Sequence, residues 1–308
     1  MNKVSIVITT FRRPVQLLEA LQSCLDQTYP PFEIIIGDDS PDDLSMEAVQ
    51  KITSETNLTI NYVKNNPALK QAMNVNMLFD EAKGDYVLLL HDDDLLLPNC
   101  LETLVSCFVE YPNIAISYGK QYIITEDGTV SIERSESYND SYFRSAAYNG
   151  AVLTPFEAGM GQQLPNNAYL IRSSIVKEIQ FRTHDGNLTI GNGCEYDFGL
   201  RLGLAGHKMY FIDEYTAKYR VGNDSMSGSK TDDAGYQAFR MIRSLTTTSA
   251  RAESIRQLRL YERAPIAITQ AVNIGLKKEA WNIFFSKWYY KRILSVGGMK
   301  RLLYLIIK

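Results

Sequence analysis

Three consecutive carboxylates, Asp92-Asp93-Asp94, stand just beyond the apolar run Tyr86-Val-Leu-Leu-Leu90. Two unit charges about 4 Å apart repel by about 4 kcal/mol at an effective dielectric near 20. A divalent cation among them turns that penalty into binding, and Mg²⁺ or Mn²⁺ takes carboxylate and phosphate oxygens together. The other reading is a solvated acidic turn that caps the next helix. Asp38-Asp39 closes a second apolar run, Glu33-Ile-Ile-Ile36. It reads either as an ordinary strand-to-helix turn with Asp39 or Ser40 as cap, or as a carboxylate accepting the imide N–H of a uracil ring. His91 is a ligand or charged neighbour of the acids, or a hydrogen-bonded structural histidine.

The elements that must position these residues follow from periodicity. Val4–Ile8 is β-branched and reads as a buried strand, and Pro14 suits the first turn of a helix with Leu17, Leu18, Leu21 and Leu25 on one face. Glu33–Ile36 is a second strand, residues 43–54 a helix and Leu58–Val63 a third strand. Val75, Leu78, Phe79 and Ala82 follow at helical spacing, with Gly84 as a stop. Asp85–Leu90 is the clearest buried strand, and Pro98 opens a helix toward Glu110. Such alternation predicts βαβ units, a parallel sheet, and a ligand crevice beyond the strands' carboxyl ends. Thr9-Thr10, Asp38-Asp39 and Asp92-Asp93-Asp94 all fall on that edge.

Beyond Ile114–Tyr118 the pattern changes. Residues 121–133 read as a hairpin turning at Asp127-Gly128, and residues 134–170 lack periodicity and read as loops. Glu195–Leu204 reads as a helix closed by Gly206, Lys208–Ile212 as a strand, and Gly222–Ser229 as the most flexible stretch. From Gly235 onward the chain reads as helical.

Composition excludes several classes. Of 308 residues, 45% are hydrophobic and 22% charged, which is globular. Net charge is −3, so no overall basic field recruits nucleic acid. The four cysteines form no CxxC pair and no zinc spacing, and are expected to stay reduced in a cytoplasmic protein. No run is apolar and long enough to span a bilayer, and the N-terminal run is too short for a signal-peptide core.

Several segments together resemble family-2 glycosyltransferases. They are Val4-Ser-Ile-Val-Ile-Thr-Thr-Phe-Arg-Arg13, Gln27-Thr-Tyr-Pro30, Phe32-Glu-Ile-Ile-Ile-Gly-Asp-Asp-Ser40, Ala82-Lys-Gly-Asp-Tyr86, His91-Asp-Asp-Asp-Leu-Leu-Leu-Pro98 and Cys194-Glu-Tyr-Asp-Phe-Gly-Leu-Arg-Leu202. The resemblance is dense over about residues 1–115 and returns near Glu195 and Tyr219-Arg220. It implies a GT-A fold, a Rossmann-like α/β sheet flanked by helices, with a C-terminal helical extension. It also implies metal-dependent, inverting transfer of a sugar from a nucleotide donor, with UDP the expected nucleotide, in cell-surface polysaccharide or glycoconjugate assembly.

Carried over by position, Thr9 and Phe11 line the nucleotide pocket and Asp39 reads the base. Asp93 and Asp94 hold Mn²⁺ or Mg²⁺, His91 stands where many members have an Asp, and Asp92 lies near the ribose or diphosphate. Glu195, six residues before Arg201, takes the position of the base, with Asp197 as fallback; capping its own helix is the plain alternative. Many members have a His where this chain has Gly222, and Lys230 is the residue expected to reach the phosphates.

Domain boundaries are expected at 1–232 for the transferase, with 1–118 as donor half and 119–232 as acceptor and base half, and at 233–308 for the helical region. Residues 277–308 carry eight Lys/Arg and one acid. Trp281, Phe284, Phe285 and Trp288 are spaced as a stripe on one helix. Gly297-Gly298 reads as a break, followed by Met299, Leu302, Leu303 and Ile306. Basic amphipathic helices lie in the headgroup region, so the expectation is peripheral attachment to the inner membrane face and a saccharide or lipid-linked acceptor. Packing on the domain or on a second subunit, as a homo-oligomer, is the alternative for the tail. The alternatives for the whole are a sugar-phosphate nucleotidyltransferase, which would want glycines in Thr9–Pro14, and a non-catalytic nucleotide-sugar-binding protein.

Overall fold

Alternate residues of the first strands point into two different cores. In a computed structural model describing residues 2–53, 56–182, 193–222 and 233–308, the strands are β1 (Val4–Thr10), β2 (Glu33–Asp38), β3 (Ile60–Lys64) and β4 (Tyr86–His91). Ile6, Ile8, Ile34, Ile36, Leu88 and Leu90 enter one core, and Val7, Ile35, Val87 and Leu89 enter the other. Burial on both faces explains why these strands are continuously apolar. Helix α1 (Pro14–Leu25) covers the first face. Helix α2 (Leu44–Thr53) follows β2, and α3 (Gln71–Glu81) covers the second face. These elements match those read from the sequence.

The remaining strands are β5 (Leu95–Leu96), β6 (Ile116–Ile124), β7 (Val130–Ser131), β8 (Tyr169–Arg172) and β9 (Met209–Arg220), with α4 (Cys100–Glu110) after β5. Among the described residues they form a nine-stranded sheet in the order β3-β2-β1-β4-β8-β6-β9-β5, with β7 paired to β6. β1, β2, β3 and β4 are mutually parallel, and β8 lies antiparallel between β4 and β6. The hairpin is present, with Gly128 at φ +84° in its turn.

Residues 134–170 are not loops throughout. Helix α5 (Ile132–Ser141) runs along β6, and α6 (Pro155–Met160) precedes β8, which α7 (Ser173–Glu178) follows. α5 escaped periodicity because polar groups hold it: Ile123 N donates to Ser135 Oγ at 2.8 Å, and Asn139 Nδ2 donates to Gln121 O at 2.9 Å. α6 is only six residues long, and its signal is local: Pro155 in the first turn and a Thr154–Glu157 capping box. β9 also runs further than Lys208–Ile212, because it pairs in parallel with β6 as far as Ile124↔Arg220.

Helix α8 (Cys194–Leu204) lies against α6 at backbone distance. A Cβ on Gly203 would come 2.4 Å from Pro155 O, and one on Gly159 would come 2.5 Å from Gly199 O. Glycine at both contacts lets α6 set the position of the helix bearing Glu195.

The C-terminal helices are α9 (Ala234–Ser244), α10 (Ala250–Asn273), α11 (Lys277–Phe284) and α12 (Val296–Ile307). The aromatic stripe does not lie on one helix, since α11 ends at Phe284. Phe284 is fully buried, and Trp288 packs edge-on to Phe239 while donating through Nε1 to Gln257 Oε1 at 2.7 Å. These rings therefore fasten the tail to α9 and α10, which corrects their reading as a membrane face. Gly297-Gly298 is no break either, because both lie in the first turn of α12. A Cβ on Gly298 would meet Arg292 O at 2.0 Å.

Glu157 joins this region to the sheet domain. Its carboxylate takes Arg251 Nη2 at 2.6 Å and Thr154 N at 3.0 Å. Burial alone would raise its pKa, but Arg251 and Thr154 outweigh that and hold it down at about 2. Since its folded pKa lies below its unfolded one, the carboxylate's contribution is complete above pH about 4.5 and is lost as pH falls toward about 2. Glu157→Gln should cost about 1–3 kcal/mol in urea unfolding at pH 7. The gap from wild type should narrow steadily as the titration is repeated below pH 4.5; a gap independent of pH would show that the charge is not what Arg251 recognises.

Candidate active site

The three acids at the end of β4 meet three different environments. Asp92 is buried and spends both oxygens on the chain. Thr10 Oγ1 and Phe11 N donate to Oδ2 at 2.8 and 3.3 Å, and Arg13 Nη1 donates to Oδ1 at 3.1 Å. The same Arg13 nitrogen reaches Asp93 Oδ2 at 2.6 Å. Asp94 is fully buried; Arg220 N donates to Oδ1 at 2.7 Å, and Asn167 Nδ2 donates to Oδ2. Asn167 Nδ2 also lies 3.0 Å from His91 Nδ1. Burial first, then the Asp93 charge, pushes the Asp94 carboxyl up to about 7. Burial and Asp93 likewise raise Asp92, against the pull of Arg13 and Thr10.

Among the described residues, His91, Asp93 and Asp94 offer ligand atoms that all lie within 4.8 Å of one another. Two carboxylates and an imidazole on that scale fit a divalent cation that also takes phosphate oxygens. Arg13 holds one oxygen of Asp93 in this arrangement, so an ion and the guanidinium would compete for it.

Asp38 and Asp39 divide their work. Asp38 is sealed: Lys64 Nζ, Tyr62 OH and Ser40 N donate to it at 2.8, 2.7 and 2.8 Å. Burial raises its pKa, but those three donors together lower it. Asp39 receives Asn65 Nδ2 and Leu69 N on Oδ1 alone, at 2.9 and 3.0 Å. The 10–12 turn packs beside it, with Asp39 N donating to Thr10 O and Arg12 N to Ser40 Oγ. Thr9 lies one residue before the end of β1 here, and Phe11 is half exposed. Arg12 and Lys70 both hold positive φ, 56° and 65°, the kind of backbone strain that persists where surrounding structure imposes it.

Glu195 opens α8 and receives Gln71 Nε2 on Oε1 at 3.0 Å, from the first turn of α3. Among the described residues its Oε2 meets the Cys194 thiol, a weak donor, at 3.5 Å. Asp197, the fallback, is nearly buried and bound to Arg201 Nε at 2.8 Å, and Arg201 in turn ties α8 to Gln180 O and Phe181 O. Its geometry is that of a helix anchor. Tyr219, near the end of β9, has its hydroxyl pKa raised by burial, then by Tyr138, Asp94, Asp93 and Glu195. One ring thus lies within electrostatic reach of both the acidic corner and Glu195.

The structure therefore places His91, Asp92, Asp93 and Asp94 together at the end of β4 and Glu195 at the start of α8, with Thr9, Phe11 and Asp39 along the carboxyl edge of the parallel strands. Lys230 lies outside the described residues, as does the Gly222–Ser229 stretch beyond Gly222. Arg13, Asn167 and Gln71 have no role in the sequence reading. Arg13 lay inside the family-like opening segment, whereas Asn167 and Gln71 carried no periodic or motif signal. A hollow of about 500 Å³ lined by Tyr111, Asn149, Lys208 and Tyr210 lies at the other end of β9 and gathers no carboxylate cluster.

This sheet, with an acidic corner at the carboxyl edge of its parallel strands, defines the GT-A glycosyltransferase class. The fold is that of S. aureus TarS residues 1–349 in complex with UDP: TM-score 0.65, 15% identity, covering 98% of this chain and 90% of that one. It is also that of the mannosyltransferase PcManGT from Pyrobaculum calidifontis in complex with GDP-Man and Mn²⁺: TM-score 0.64, 14% identity, covering 100% and 86%. Residues 5–164 match the family model "Glycosyl transferase family 2", and the chain belongs to that family. Among its relatives is the GalNAc(5)-diNAcBac-PP-undecaprenol beta-1,3-glucosyltransferase of Campylobacter jejuni, 26% identical over 197 residues, 60% of this chain and 63% of that protein.

The unequal burial of the acids predicts unequal stability effects. Asp92→Ala strands the Thr10 hydroxyl and Phe11 N, leaves Arg13 only Asp93, and should cost about 2–3 kcal/mol in urea unfolding. Asp93→Ala, at a partly exposed position, should stay within about 1 kcal/mol of wild type. Equal losses at the two positions would refute this division between a structural and an available carboxylate.

Proposed function

We propose that the protein transfers a sugar, with inversion, from a UDP-sugar to a hydroxyl of a saccharide or lipid-linked acceptor in cell-surface glycan assembly. One observation carries this reading: His91, Asp93 and Asp94 bring ligand atoms within 4.8 Å of one another at the end of β4, and a second carboxylate, Glu195 at the start of α8, is held by Gln71 of α3. Transfer needs a stabilised diphosphate leaving group and a base on the acceptor side, and these are the residue types gathered there. The complexes of the two solved structures with UDP and GDP-Man support a nucleotide-sugar donor. The Campylobacter relative's name supports a lipid-linked acceptor.

In this reading Asp39 accepts the uracil imide N–H on its less occupied oxygen, and Thr9 and Phe11 line the pocket. Asp93 and Asp94, with His91, are the residues that hold Mn²⁺ or Mg²⁺, and the ion's chemistry is to offset charge on the departing diphosphate. Asp92 acts one step back, fixing the Thr10–Arg13 turn against which the nucleotide lies. Lys230 is assigned to the phosphates. Glu195 takes the acceptor's proton on Oε2 as that oxygen attacks the anomeric carbon, while Gln71 fixes the orientation of its other oxygen. A single base and a single displacement invert the anomeric centre.

Residues 1–118 then form the donor half, 119–232 the acceptor and base half, and 233–308 the helical region. The described residues contain no helix long and apolar enough to cross a membrane. The enzyme is assigned to the inner membrane face by peripheral contact.

Glu195→Gln should leave UDP affinity within about twofold while turnover falls about 10²–10⁴-fold, the usual worth of a general base. Product NMR on the wild type should show the anomeric configuration opposite to the donor's. Near-normal turnover of the variant removes Glu195 from the mechanism, and retained configuration removes the single displacement.

A further inference from the structure

Phe284, Trp288 and Tyr289 of the tail turn inward, but one face of α12 does not. Its inner side carries Gly298 and Leu305, both buried, and the anchors Arg301 Nε to Pro265 O at 3.0 Å and Tyr304 OH to Asn273. Its outer side carries Val296, Met299, Leu303, Ile306 and Ile307, which are 45–78% exposed. Their spacing puts them on one stripe, and Leu294, 90% exposed, extends it toward the helix start. A contiguous apolar face that none of the described residues covers calls for a partner.

Charge identifies the partner. No acidic residue follows Glu279. Two of the arginines in this region are spent on the fold: Arg292 stacks 3.6 Å from the Tyr261 ring, and Arg301 binds Pro265 O. Lys300 on α12, Lys308 at its end, and Lys287 and Lys291 in the segment before it remain exposed. A second copy of the chain would bring like charges together at such a face, whereas anionic headgroups neutralise them while the apolar stripe enters the acyl boundary. A twelve-residue helix is about 18 Å long, which suits lying in the interface and not crossing it.

We infer that the outer face of α12, with Lys300 and Lys308 on the same helix, is a docking surface for an anionic lipid bilayer. The face is coupled to the proposed reaction through α10. Arg301 binds Pro265 O, and two residues earlier Arg263 lies 4.8 Å from the ring of Tyr196, the neighbour of Glu195. The purpose of the surface, bringing α8 to a membrane-borne acceptor, rests on the function proposed above; its affinity for lipid does not.

The test is co-sedimentation of the full chain with vesicles of phosphatidylglycerol and phosphatidylcholine, or of phosphatidylcholine alone. Wild type should partition at least tenfold more strongly to the anionic vesicles, and 0.5 M salt should weaken that. The double variant Leu303→Glu/Ile306→Glu should lose at least tenfold in partition while keeping UDP affinity by calorimetry, which shows that the domain is intact. Equal partition of variant and wild type overturns the inference, as does a wild type that stays free of anionic vesicles. A wild-type dimer that the double variant converts to monomer would assign the face to a second copy and also overturn it. Transfer to a soluble acceptor, assayed without vesicles, reports on the proposed activity independently of all these outcomes.

Discussion

Three adjacent carboxylates at the end of a buried strand must each find a counter-charge or a reason to stay protonated, and the architecture of one sheet edge follows from that. At 4 Å and an effective dielectric near 20 each like-charged contact costs about 4 kcal/mol. Asp92 is answered by the turn after β1 through Thr10, Phe11 N and Arg13. Asp94 is answered by the end of β9 through Arg220 N, and by Asn167 just before β8. Arg220 Nε also donates to Asp93 O, at 2.8 Å. Strands distant in sequence are thus drawn to one point by a local excess of negative charge. Among the described residues, Asp93 is the one of the three that keeps an oxygen with no donor.

That arrangement joins electrostatics to packing. The glycines of α6 and α8 set the height of the helix that starts with Glu195, and Gln71 fixes the carboxylate from the other side of the crevice. Tyr219 stacks on Tyr138 at 5.7 Å, and burial, with the nearby negative charges of Asp94, Asp93 and Glu195, raises its hydroxyl pKa. Arg13 satisfies Asp92 and Asp93 together, and a guanidinium that neutralises two carboxylates is a natural competitor for a cation and a natural partner for a diphosphate. Exchange of one for the other would couple binding of metal and donor without movement of the sheet.

Much of the donor half was legible because its strands are buried on both faces and its helices on one. Val4–Ile8, Ile34–Ile36 and Val87–Leu90 had no other plausible home. The acidic corner was legible too, since charge next to such runs is costly. Its internal division was not: nothing in Asp92-Asp93-Asp94 says which carboxylate the chain will consume, because Thr10, Arg13, Asn167 and Arg220 come from three other places in the sequence. α5 hid because Ser135 and Asn139 hold it by polar contacts with β6. The tail misled because helical spacing of Trp281, Phe284, Phe285 and Trp288 is shared by a membrane face and a packing face. The end of α11 at Phe284, with the turn beyond it, decides for packing.

The central claim is that a divalent ion, shared with a pyrophosphate, is held on the oxygen of Asp93 that the described residues leave open, beside Asp94. An anomalous difference map at the manganese edge, from a crystal grown with Mn²⁺ and UDP, tests it most directly. The account predicts one strong peak touching Asp93, Asp94 and the diphosphate oxygens, with Arg13 drawn off Asp93. UDP bound in the crevice with no peak there, and Arg13 still clasping Asp93, would contradict it.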